Sequence, residues 1–132
     1  MRGYPRAGSS NGGSDVAIVE AETGDVEPFE LATREQAEQM EAHCFFIGFG
    51  GRYGKNMMPC KAMGLQVEDS GEVLIISGRV IPGDSGGPVV GHGGKVIGLT
   101  FAYGFGGTAG FAVPSWTVQK FLKEAKPKHV PY

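Results

Sequence analysis

No stretch of this 132-residue sequence approaches the ~20 consecutive apolar residues of a membrane-crossing helix, and its first residues lack the apolar core of a signal peptide. No membrane partner is expected. Neither sign of charge dominates: 12 Lys and Arg stand against 14 Asp and Glu, a net charge of −2, without a basic block. Nucleic-acid binding through a charged surface is therefore not expected either. Cysteine is scarce, with two residues, and no Cys/His cluster has metal-ligand spacing. No phosphate-cradling loop is evident, so neither a metal nor a cofactor is expected. Histidine occurs three times, at 43, 92 and 129, which limits where any imidazole chemistry can reside.

Glycine, by contrast, supplies 23 residues, and the apolar fraction is 41%. That mixture suits many short strands joined by tight turns, an all-β domain. The alternating segment 15–21 reads as a strand, followed by strands near 43–49, 57–67, 72–77, 88–91, 95–102 and 110–113. Thr33 and Gln36 have capping-box spacing for a short helix through REQAEQM. Ser115 can cap a second helix whose Val118, Phe121, Leu122 and Ala125 share a face, with Pro127 as its stop. The Gly/Ser-rich residues 1–14 read as a flexible arm or linker, 15–126 as the folded unit, and 127–132 as a tail.

The segment RVIPGDSGGPVV, residues 79–90, carries the chemistry. Glycines around Ser85 remove side chains, so a ligand or another backbone can approach closely. A serine hydroxyl becomes a nucleophile only beside a base, and its transition state needs N–H donors aimed at the developing oxyanion. The N–H groups of Gly83 and Ser85 are the candidate donors.

GDSGGP resembles the nucleophile signature of the chymotrypsin-like serine proteases. GGKVIGLTFAYG resembles the family's turn and strand beside the substrate. GFAVPSWTVQKFL resembles its last strand and C-terminal helix, in the style of the high-temperature-requirement-type bacterial and viral branches. SDVAIVEA resembles the segment that holds the triad aspartate, and CFFIGFGG the opening strand of the second barrel. The resemblance implies a Greek-key β-barrel, the second of the family's two, with a short C-terminal helix. It further implies a serine endopeptidase with Ser85 as nucleophile, Asp15 orienting the histidine, and polypeptide as substrate. Only 14 residues precede Asp15, too few for the first barrel that carries the family's histidine. The base is expected on a missing or separate first-barrel segment.

His43 tempts as a substitute, because AHC also surrounds the family's catalytic histidine. Its following strand matches the second barrel, however, so His43 is expected to be a strand-start residue rather than the base. Asp84 needs a partner, since an unpaired buried carboxylate is costly; Arg79, Lys55, a backbone donor or the missing half are the options.

By resemblance, Arg79, Val80 and Ile81, Thr100, Phe101, Ala102 and Tyr103, and Gly110 and Ala112 line the primary specificity pocket. An inward Arg79 would select acidic side chains. An outward Arg79 leaves a small, mostly apolar pocket and avoids burying an unpaired guanidinium. Cys44 and Cys60 are equidistant from Arg52, so a hairpin centred there sets them opposite each other. At that spacing a disulfide and a pair of small core residues are both open readings.

Two rivals to the enzyme stand beside it. One is a non-catalytic binding or assembly module that kept the barrel, and the other is a viral or phage structural or maturation product containing a half-protease. A lone second barrel would expose the Ser85 face, so pairing with a first-barrel chain or self-association through that face is expected.

Overall fold

The computed structural model describes residues 2–4, 16–39, 42–51, 54–69, 71–91, 93–104 and 107–129, with the backbone alone at 2–4 and 126–129. Two short strands come first, β1 (Arg2–Tyr4) and β2 (Ile18–Glu20), followed by helix α1 (Arg34–Gln39). Six barrel strands follow: β3 (His43–Gly48), β4 (Asn56–Glu68), β5 (Gly71–Ser77), β6 (Pro88–Val90), β7 (Val96–Gly104) and β8 (Ala109–Pro114). Helix α2 (Ser115–His129) closes the chain. Asp15 and His92 lie outside the described residues.

The barrel is closed and antiparallel in the order β3-β4-β5-β8-β7-β6, with β6 returning to β3. Each consecutive pair of barrel strands is a hydrogen-bonded neighbour except β5 and β6. The β5–β6 connection crosses the barrel's end and holds Ser85. It is the one connection between successive barrel strands that are not neighbours in the sheet.

Alternation sets the interior. In β3, Cys44, Phe46 and Gly48 are buried while His43 and Phe45 are exposed, as a strand with one solvated face requires. Phe46, Leu74, Ile76, Val80, Val89, Ile97 and Ala112 form the main core with the two cysteines. A second cluster lies under α2, where Val118, Phe121 and Ala125 meet Val113 with Val16 and Ile18. The helix face foreseen from its spacing is the one that packs, with Leu122 only partly buried at its margin.

The α1 capping box forms as its spacing predicts, whereas the Ser115 hydroxyl bonds away from its own helix. The Gln36 N–H donates to Thr33 Oγ1 at 3.1 Å, and the Thr33 N–H donates to Gln36 Oε1 at 3.0 Å, a reciprocal capping box. Ser115 is fully buried at the start of α2, and its hydroxyl donates to the Ala32 carbonyl at 2.6 Å. Its hydroxyl therefore ties the helix to the segment entering α1. Two expectations need correction. Arg2–Tyr4, inside the stretch read as an arm, pairs antiparallel with β2. The α2 backbone stays helical to His129, because one missing N–H at Pro127 does not stop it there.

Candidate active site

Glycine lets the crossover loop sit against β3. Gly48 and Gly50 lie directly against the Asp84 side chain, and Gly87 against the Ile47 carbonyl, so a Cβ at any of them would collide. The Asp84 carboxylate, only 4% exposed, occupies the space so cleared. Its Oδ1 accepts from the Gly50 N–H at 2.8 Å and its Oδ2 from the Ile81 N–H at 3.0 Å. Backbone donors thus satisfy it, rather than Arg79 or Lys55, both of which are exposed. Charge-assisted bonds of this kind let a carboxylate remain buried without a counter-ion.

The rest of the loop is anchored on β7. The Thr100 hydroxyl donates to the Asp84 carbonyl at 2.7 Å, and the Gly86 N–H donates to the Thr100 carbonyl at 2.7 Å. The Thr100 N–H returns a bond to the Gly87 carbonyl at 2.9 Å. Between these anchors Ser85 stands exposed, its hydroxyl 3.5 Å from the Phe101 carbonyl. Gly83 holds φ +101°, a conformation that L side chains rarely adopt. Among the described residues nothing accepts from the N–H groups of Gly83 or Ser85. A rigid turn thereby presents one hydroxyl beside two unpaired backbone donors.

His43 does not stand beside Ser85. His43 opens β3 opposite Lys61, at the end remote from Gly48, which touches Asp84. Five steps of about 3.3 Å place its backbone roughly 16 Å along the strand from Gly48. His43 is an exposed strand-start residue, as expected.

The nine predicted pocket residues divide into two sets. Arg79 and Tyr103 are exposed, and Ile81, Phe101 and Ala102 are half-buried. Val80, Thr100, Gly110 and Ala112 are buried in the barrel. A Cβ at Gly110 would collide with Val80, so Val80 fills the space that Gly110 leaves. The resemblance named these positions, and it carried no sign that Val80 fills the space over Gly110.

Cys44 and Cys60 are direct cross-strand partners, and both are buried free thiols. Cys60 donates to Cys44, which holds the Cys44 thiol below the ordinary thiol value and, with burial, pushes Cys60 above it. No group of His, Cys, Asp and Glu among the described residues has metal-binding geometry.

Comparison with known proteins agrees with this architecture. A family model described as a trypsin-like peptidase domain matches residues 4–99. No curated protein sequence matches the chain. Among solved structures, the active form of the Rv3671c protease from M. tuberculosis superposes with a TM-score of 0.64 at 21% identity, over 75% of this chain and 48% of that one. An inactive form, a serine-to-alanine mutant, gives 0.65 at 19% identity over 82% and 58%. A further inactive form gives 0.61 at 22% identity over 76% and 55%. The chain thus spans about half the length of the structures it resembles, and the likeness is one of fold. With most of its length covered by the family model and its barrel matched in three dimensions, the chain belongs to the trypsin-like peptidase family.

Proposed function

We propose that this barrel is the nucleophile-bearing half of a serine endopeptidase that cleaves polypeptides through an acyl-enzyme. One observation carries the reading: the exposed Ser85 hydroxyl adjoins the unpaired Gly83 and Ser85 N–H groups on a loop pinned by the buried Asp84. In this reading Ser85 Oγ bonds to the scissile carbonyl carbon as its proton passes to an imidazole. The carbonyl oxygen becomes an oxyanion and accepts from the two N–H groups. The C–N bond then breaks as the imidazole returns the proton to the leaving amine, and water repeats the sequence to release the acid.

The imidazole is assigned to a first-barrel segment, in a longer form of the protein or in a partner chain. Asp15 orients it. Val16, the next residue, packs under α2, which holds the start of this segment against the barrel. The outward Arg79 and the space-filling Val80 favour a small apolar side chain before the scissile bond. The first barrel would cover the Ser85 face. There Phe49, whose N–H donates to the Gly83 carbonyl, is 64% exposed, and Tyr103 is 53% exposed.

The remoteness of His43 also suits a second reading, a binding or assembly module that retains the barrel without a base. Kinetics in a protein carrying both barrels separates the two. Ser85→Ala abolishes acyl-enzyme formation, whereas His43→Ala lowers kcat/KM only modestly. Equal losses with folding intact would make His43 the base. An inert two-barrel protein would favour the module.

A further inference from the structure

One strand overshoots the barrel's closure. β3 pairs with β4 only from Asn56 to Lys61, and a last bond runs from the Ala62 N–H to the Ala42 carbonyl at 2.7 Å. β4 continues to Glu68, paired there with β5 alone. Among the described residues no strand lies along its other edge beyond Ala62.

Hydrogen-bond parity decides which backbone groups face outward. Glu68 and Gly71 close the β4–β5 hairpin, and the closing pair of a two-residue hairpin exchanges both its hydrogen bonds. Alternation then makes Gln66 and Gly64 the residues that bond to β5. The irregularity between Ala62 and Gly64 accounts for the change of phase from the β3-paired part of the strand. Leu65 and Val67 consequently direct their N–H and C=O groups away from β5. These four groups have no partner among the described residues. The edge is also apolar: Met63 is 63% exposed and Val67 81%.

A cavity of about 360 Å³ opens beside this edge. Gly64 and Leu65 of β4, Ala37 and Glu38 of α1, and Leu74 and Trp116 are among the residues that line it. Glu38 and Glu72 share the single guanidinium of Arg34, which leaves the rim net negative. Glu68 and Asp69 add two more acids at the hairpin tip.

We propose that this edge docks an extended peptide segment as an additional antiparallel strand. The segment exchanges backbone hydrogen bonds with Leu65 and Val67 and inserts an apolar side chain into the cavity. Its antiparallel direction brings its N-terminal end to the hairpin tip, where a basic residue meets Glu68 and Asp69. A second copy of this chain fits less well. Two-fold pairing centred on Leu65 would set its hairpin tip opposite Lys61, on the line that His43 already occupies. Ser85 takes no part, so the site stands or falls independently of peptidase activity.

The test uses the terminally blocked peptide Lys-Thr-Leu-Thr-Val and a counterpart with Glu in place of Lys, titrated into the full chain. Binding is read by fluorescence anisotropy and by amide exchange. The lysine peptide is expected to bind saturably, to protect the Leu65 and Val67 amides, and to bind more tightly than the glutamate peptide. Val67→Pro removes an outward N–H at an edge position where proline is tolerated, and should weaken binding about tenfold. Val67→Ala, which keeps that N–H, should remain within a few-fold of the parent. Ser85→Ala should bind as the parent does. No saturable binding would overturn the proposal, as would equal affinity in the Val67→Pro protein. So would Leu65 and Val67 amides already protected in the free protein, the sign of an edge occupied by a second copy.

Discussion

Asp84 shows how a single side chain can set a loop. Its two carboxylate oxygens hold the Gly50 and Ile81 N–H groups from opposite sides, so the turn bearing Ser85 is fixed to β3 and to its own base. Asp84→Ala would leave the buried Gly50 N–H and the half-buried Ile81 N–H unpaired, at up to about 1–3 kcal/mol each. Urea unfolding should show a combined loss of about 2–6 kcal/mol, while an unchanged midpoint would mean that water replaces the carboxylate. The sequence marked Asp84 as a residue needing a partner but did not identify the partner, because backbone donors carry no residue signature. The cysteine pair was legible for the opposite reason. Cross-strand position follows from counting outward from a hairpin centre, and the register places Cys44 opposite Cys60.

The crossover between β5 and β6 is the element on which activity would turn, and its sequence was the most legible part of the chain. GDSGGP needs its glycines where the loop touches Gly50 and Ile47, and a local steric demand leaves a local pattern. The packing of Val80 over Gly110 was less legible, since it depends on β8 lying beside the crossover. Val80 packs into the gap over Gly110. In an active two-barrel protein, Val80→Gly should shift preference toward larger apolar side chains before the scissile bond. One or two added methylenes correspond to roughly 10–200-fold in kcat/KM. Unchanged ratios across a peptide series would show that Val80 does not bound the pocket. Pro127 gives the converse lesson, for a strong local stop signal lies within a helix whose earlier turns are anchored by Val118, Phe121 and Ala125.

At the scale of the molecule, a closed six-stranded barrel carries a two-stranded ribbon that belongs to no larger sheet. Such a ribbon is marginal by itself, and here Ile18 is buried in the cluster beneath α2. The fold class and barrel were legible because alternation and glycine turns recur along the whole chain. Of the ribbon, β2 was legible in the alternating segment 15–21 but β1 was not, since three residues of strand within a Gly/Ser-rich stretch carry too little pattern. The exposed Phe49, bonded to the crossover at Gly83, gives the proposed first-barrel partner an apolar group to cover. Light scattering at micromolar concentration should report either a complex with a first-barrel chain or a self-associated species. A stable monomer whose residues 1–14 cover Ser85 would contradict this. The central claim, a competent nucleophile loop awaiting its base, is tested most directly by a fluorophosphonate probe with mass spectrometry of the modified residue. The account predicts negligible labelling of residues 1–132 alone and stoichiometric labelling of Ser85 once a first-barrel segment is present. Rapid labelling of Ser85 in the lone chain, or labelling elsewhere in the two-barrel protein, would contradict it.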